Sequence, residues 1–96
     1  MTAYVIAQLT VTDPAGFEAY RRAAVPVVEA YGGRFLVRGN AISALEGDPE
    51  RPSVIVLEFP DRAAAERFYN SPEYRAILPM RLSSSEGTVV VVEGGV

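Results

Sequence analysis

The sequence predicts an α+β domain in which a four-stranded antiparallel sheet carries its helices on one face. Three observations predict it. Extended and helical segments follow one another in the order βαββαβ; the helices are introduced by Asp or Ser caps and punctuated by Gly and Pro; and the strands, sorted by side-chain parity, share one wholly apolar face. With 96 residues the chain is read as one domain, 1–96.

Residues 3–11, AYVIAQLTV, are apolar and β-branched with polar interruptions, which predicts the first strand. Asp13-Pro14 opens a helix, since Asp is a good N-cap and Pro suits the first helical position. Phe17, Tyr20, Ala24, Val27 or Val28, and Tyr31 recur at helical spacing on one side, and Pro26 is expected to kink the helix. Gly32-Gly33 ends it, one of the pair supplying a left-handed cap.

A second strand is predicted over 34–38. Gly39-Asn40 reads as a bulge or bend, after which AISALE, 41–46, is expected to continue extended pairing. GDPERP is a polar turn, and SVIVLEF, 53–59, is the third strand. Asp61 caps a second helix, RAAAERFYN, and Ser71-Pro72-Glu73 starts a short third one that Pro79 disrupts after about Leu78. SSSEG reads as a flexible link into a last strand, TVVVVE, 88–93. Two βαβ units with right-handed crossovers fold most simply as a ferredoxin-like sheet of strand order 4-1-3-2.

Parity places Val5, Ala7, Leu9, Phe35, Val37, Ile55, Leu57 and Phe59 under the helices. The second face carries Tyr4, Ile6, Gln8, Arg34, Leu36, Arg38, Val54, Val56 and Glu58, too aliphatic for water and too polar for a closed core. Four consecutive valines make the last strand apolar on both sides, an aggregation hazard if left as an open edge. A homodimer packed sheet against sheet removes both problems. Tyr4, Gln8, Arg34, Arg38 and Glu58 are its interface candidates, with Glu58 the carboxylate nearest the arginines. Arg34 and Arg38 have two further readings, anion binding beside Gly39-Asn40 and plain exposure.

Composition narrows the chemistry. The chain has no Cys, His or Trp, and all nine of its basic residues are Arg. That excludes thiolate and imidazole nucleophiles, Schiff-base lysines, an axial haem histidine and the usual structural zinc sites. No DxD-like cluster suggests magnesium, so no metal or cofactor is expected. A net charge of −3 with scattered arginines argues against nucleic acid. No apolar run approaches the roughly 20 residues of a membrane span. The start MTAYVIAQLTVTD lacks a basic n-region and a cleavage pattern, so it reads as structure and not as a signal peptide; with the lack of cysteine this fits a cytoplasmic protein.

In order and spacing, AYVIAQLTVTDP, YGGRFLVRG, ALEGD, VLEFPD and YNSPEYRAI resemble a bacterial family of about 95-residue proteins catalogued as a domain of unknown function. That family belongs to the dimeric α+β-barrel superfamily of ferredoxin-like folds, so the resemblance implies the sheet-to-sheet dimer but no reaction. Superfamily relatives include cofactor-free monooxygenases of phenols, haem-binding and haem-degrading enzymes, lactone isomerases and ligand-sensing domains of regulators. Their ligands sit between sheet and helices. This chain departs from several of them, having no His for haem or imidazole catalysis and no helix-turn-helix. It also lacks the stacking aromatics of RNA-binding relatives, with Val54, Ile55 and Val56 in their place.

For such a helix–sheet cavity the candidates are Tyr20, Tyr31, Tyr69, Tyr74 and Arg81. Phenols on apolar helix faces can orient a substrate or move a proton, and Arg81 or Arg75 could clamp a carboxylate. As plain core aromatics, the same tyrosines would only reach the surface or a backbone carbonyl. The shortage of strong bases favours a non-catalytic small-molecule binding or interaction module. The alternative is a metal-free enzyme, monooxygenase- or isomerase-like, using Tyr and Arg groups in that cavity.

Overall fold

The computed structural model describes residues 1–39 and 41–94, in the order β1 (Ala3–Val11), α1 (Pro14–Ala30), β2 (Arg34–Gly39), β3 (Ser53–Phe59), α2 (Arg62–Asn70), α3 (Pro72–Ser84) and β4 (Ser85–Glu93). The strands pair antiparallel throughout in the order β2-β3-β1-β4, the predicted ferredoxin-like order read from the other edge. The helices cover one face of the sheet. Between the two layers lies a core that includes Val5, Val28, Leu57, Phe59, Phe68 and Leu78.

The caps behave as the residue types dictate. Asp13 accepts the Gly16 N–H, Asp61 the Ala64 N–H and Ser71 the Tyr74 N–H, each satisfying a donor that the helix start leaves open. Gly32, at φ +83°, closes α1: its N–H reaches the Glu29 carbonyl while Gly33 N–H reaches that of Val28, a Schellman ending that needs the left-handed residue. α1 runs on through Pro26, whose ring faces water, so the missing hydrogen bond leaves the Arg22 carbonyl to solvent.

Three expectations are corrected. α3 does not stop near Leu78 but continues past Pro79 to Ser84. The serines read as a flexible link are its ending: Ser84 Oγ donates to the Met80 carbonyl at 2.6 Å and Ser85 Oγ to the Arg81 carbonyl at 2.8 Å. The Ser84 carbonyl then accepts from Thr12 and Asp13, fixing the end of α3 to the start of α1, and β4 begins at once with Ser85. The expected extended pairing over 41–46 is also absent. That segment is exposed and irregular, with Leu45 96% exposed, because β2 is an edge strand and no neighbour receives it. Of the Gly39-Asn40 bend, Gly39 lies within β2 and Asn40 is outside the described residues.

The third correction bears on function. β2 carries a bulge, but between Phe35 and Val37, not at Gly39. Arg34 pairs with Glu58 and Phe35 with Leu57, as parity requires; beyond the bulge Val37 pairs with Val56 and Arg38 with Ile55. One extra residue exchanges the two faces of a strand. Val37 therefore leaves the helix side, where it was expected, and Arg38 leaves the second face to join Ile55 on the helix side. Arg34 stays on the second face.

Candidate functional site

Four of the five pocket candidates converge where α1, α2 and α3 meet over the sheet. The Tyr20 and Tyr74 hydroxyls are 2.8 Å apart, and Arg81 Nε–H donates to the Tyr74 hydroxyl at 3.3 Å. The Tyr69 ring lies 5.6 Å from that of Tyr74, with the Arg75 guanidinium over it at 4.5 Å. Arg75 also donates to Asn70 at 2.8 Å, so it braces α2 against α3. Tyr31 does not join the group. Its hydroxyl donates to Glu73 at 2.8 Å, tying the end of α1 to the start of α3, and that carboxylate pushes the phenol above its ordinary range.

Beneath these rings lies a small, partly enclosed cavity of about 40 Å³, lined by Phe17, Tyr20, Phe35, Phe68, Tyr69 and Tyr74 among others. It is larger than one water-sized void, but its walls are almost wholly apolar, the combination that leaves a cavity dry. The polar ends of the tyrosines turn toward one another and toward Arg81, which does not line the cavity. Burial first, then the neighbouring Tyr74, pushes the Tyr20 phenol far above its ordinary range. At neutral pH it is a neutral hydrogen-bonding group and not a base. Arg81 is only 8% exposed, and among the described residues no carboxylate pairs with it.

A second, open cleft of about 470 Å³ lies beside the cavity, between the first turns of α1 and the ends of β2 and β3. Phe17, Glu18, Arg21, Arg38, Ser53 and Ile55 line it, and three of these, Phe17, Arg21 and Ile55, also line the cavity. Arg21 is held by Glu18 at 2.9 Å, an ion pair that keeps the Glu18 carboxyl below its usual range. The Arg38 guanidinium lies 5.2 Å from the centre of the Phe35 ring, and no acidic side chain among the described residues pairs with it. Sequence reasoning missed this cleft because it assigned Arg38 to the wrong face. Phe17 was placed on the apolar side of α1 without a role.

The second face of the sheet holds the remaining interface candidates. Tyr4 stands opposite Glu58 and Gln8 opposite Val54, while Arg34 Nε–H meets Glu58 at 2.7 Å within the same chain. Around them Leu36, Val37, Val90 and Val92 are nearly half exposed. On β4, Gly87 at φ +150° passes so close to β1 that a Cβ would sit 1.9 Å from the Gln8 carbonyl oxygen. Only glycine lets this edge strand continue its pairing, begun at Ser85, past that point. Among the described residues no helix is long and apolar enough to cross a membrane.

None of the curated proteins matches the chain. Among solved structures, the RPA0582 protein of unknown function from Rhodopseudomonas palustris matches with a TM-score of 0.81 at 19% identity, covering 97% of this chain and 82% of that one. SnoaB, a cofactor-independent oxygenase from Streptomyces nogalater, matches with a TM-score of 0.67 at 15% identity, covering 98% and 93%. A dimeric ferredoxin-like protein of unknown function from Jannaschia sp. CCS1 matches with a TM-score of 0.66 at 16% identity, covering 100% of both chains. At such identities these are likenesses of fold. The family is given by the sequence itself: residues 2–95 match the domain of unknown function DUF1330, and the chain belongs to that family.

Proposed function

We propose that this protein is a non-catalytic binding module whose working unit is a homodimer, two copies packed sheet against sheet, with a small-molecule site between sheet and helices in each. The observation that carries the reading is the contrast between the two faces of one sheet. One is buried under helices, while the other leaves Leu36, Val37, Val90 and Val92 nearly half exposed around the Arg34–Glu58 pair. Aliphatic side chains spread over an entire sheet face ask for a cover, and an identical face is self-complementary under two-fold symmetry. The dimeric Jannaschia protein of the same fold supports it. Tyr4, Gln8, Arg34 and Glu58 belong to this interface; Arg38 does not. The acidic balance, with a net charge of −3, turns the module toward small molecules and away from nucleic acid, and the lack of cysteine fits a cytoplasmic setting. Sedimentation velocity between 0.5 and about 50 μM tests the assembly, a range set by the micromolar affinities expected of modest interfaces. A dimer is expected, and a monomer throughout overturns the proposal.

One observation favours a second reading, a metal-free enzyme of monooxygenase or isomerase type: the Tyr20–Tyr74–Arg81 chain, set in a fold shared with a cofactor-independent oxygenase. It is the weaker reading. The hydroxyls satisfy each other, Tyr20 is held protonated, and the space they border is about 40 Å³, too small for a phenolic substrate without rearrangement.

A further inference from the structure

The open cleft beside the tyrosine cavity has a definite chemical character. Its charges are Arg21, Glu18 and Arg38, and Glu18 is already engaged by Arg21. One net positive charge therefore remains, on Arg38, whose guanidinium lies over the Phe35 ring at the cleft wall. A stacked guanidinium presents a planar fork of donors that matches a carboxylate at two points. Ser53 adds a hydroxyl to the wall, while Phe17 and Ile55 make an apolar side that leads directly to the cavity that they also line. Phe17 packs against Tyr20 at 5.5 Å between ring centres, and both are only partly buried, so a modest shift of Phe17 joins cleft and cavity. The geometry is an anion receptor at the mouth and an apolar slot behind it. With Glu18 already neutralised, the single unpaired guanidinium at the mouth matches one negative charge.

We infer that the cleft between α1 and β2 binds a small amphipathic monocarboxylate, its carboxylate on Arg38 and its apolar body along Phe17 and Ile55 toward the tyrosine-lined cavity. The inference rests on the small-molecule-binding reading above and names the ligand class for that site. It also gives the bulge in β2 a purpose: on a regular strand Arg38, four residues from Arg34, would share that residue's face. The cleft volume, about 470 Å³, suits a body of one ring or a short alkyl chain.

The test uses three probes, phenylacetate, 4-phenylbutyrate and octanoate, each paired with its neutral primary amide. Binding is followed by amide chemical shifts and by calorimetry on the full chain. At least one carboxylate is expected to shift the signals of residues 16–22 and 35–39 and to bind about tenfold more tightly than its amide. Arg38→Gln should abolish that preference, while Arg62→Gln, the same charge change on α2, should leave it intact. Equal binding of acid and amide overturns the carboxylate assignment while leaving a binding module in place. A preference that survives Arg38→Gln overturns the role of Arg38. If no acid or amide binds at all, the binding-module reading falls together with this inference.

Discussion

Replacing Val90 by Asp is the sharpest test of the sheet-to-sheet dimer, because Val90 is 49% exposed on the second face, opposite Ile6 in the register. Fully burying a valine contributes about 1.5–3 kcal/mol, so covering the exposed half of Val90 contributes about 1 kcal/mol in each copy. An Asp there loses that and adds a carboxylate without a partner, at a further ~1.5–2 kcal/mol per copy. Two-fold symmetry counts every change twice. The dimer should therefore weaken by roughly 5 kcal/mol, more than a thousandfold in Kd. The single chain should tolerate the change, since half of the side chain already meets water; circular dichroism checks this. Ala63→Asp, on the exposed side of α2, carries the same charge change away from the sheet and should sediment as the unaltered protein does. If Val90→Asp remains a dimer with unaltered Kd, the second face is not the interface and the parity argument fails.

Two further outcomes come from the polar groups. Arg34→Ala and Glu58→Ala should each weaken the dimer, by more than the ~0.2–1 kcal/mol of an exposed pair, and the double variant should lose less than their sum. Arg38→Ala should leave the dimer untouched; sedimentation showing all four variants unchanged would mean that Arg34 and Glu58 only face solvent. Stability should also fall on the alkaline side. The Tyr20 and Tyr31 phenols are both raised in the folded protein, Tyr20 by burial and Tyr31 by the Glu73 carboxylate. Their contribution is complete below the ordinary tyrosine value of about 10 and is lost as the pH rises above it, because the unfolded chain then sheds protons that the fold retains. Urea melts from pH 8 upward should show the decline, with a shallower slope for Tyr20→Phe; an identical slope would contradict the burial of that hydroxyl.

Much of this architecture was legible in the chain because short-range chemistry carries it. Asp13, Asp61 and Ser71 cap the helices that they were expected to cap, Gly32-Gly33 stops α1, and parity sorted residues 4–9 of β1 and 54–59 of β3 as the register has them. What was not legible depended on neighbours. Pro79 reads as a helix breaker, yet the carbonyl it deprives, on Arg75, lies on an exposed turn where water replaces the lost donor. The serines after Leu82 read as a link because their composition is that of a linker. Only the folded helix shows their hydroxyls bonded to its last carbonyls. AISALE alternates like a strand but has no strand to meet. Of the cavity candidates, the fold brings Tyr20, Tyr69, Tyr74 and Arg81 together, whereas Tyr31 is drawn away by Glu73, a partner forty-two positions distant.

The two arginines of RFLVR show how one backbone irregularity divides a motif between two tasks. On a regular strand, residues four apart share a face, and Arg34 and Arg38 would both have met the partner subunit. Phe35 and Val37 would then have filled the layer below the helices. The bulge between them sends Val37 outward to enlarge the aliphatic second face and brings Arg38 inward beside Ile55. Arg34, at the unshifted end, finds its carboxylate on the next strand of its own chain. Arg38, at the shifted end, meets an aromatic ring and a cleft whose acid among the described residues, Glu18, already holds another arginine. Under the proposals above, the first braces an interface and the second receives an anion. Removing Leu36 should therefore erase the bulge without moving either arginine: Val37 would stay opposite Val56 and Arg38 opposite Ile55, so the Arg38-dependent preference for carboxylates should persist in calorimetry, and the loss of Leu36 from the second face should weaken the dimer in sedimentation.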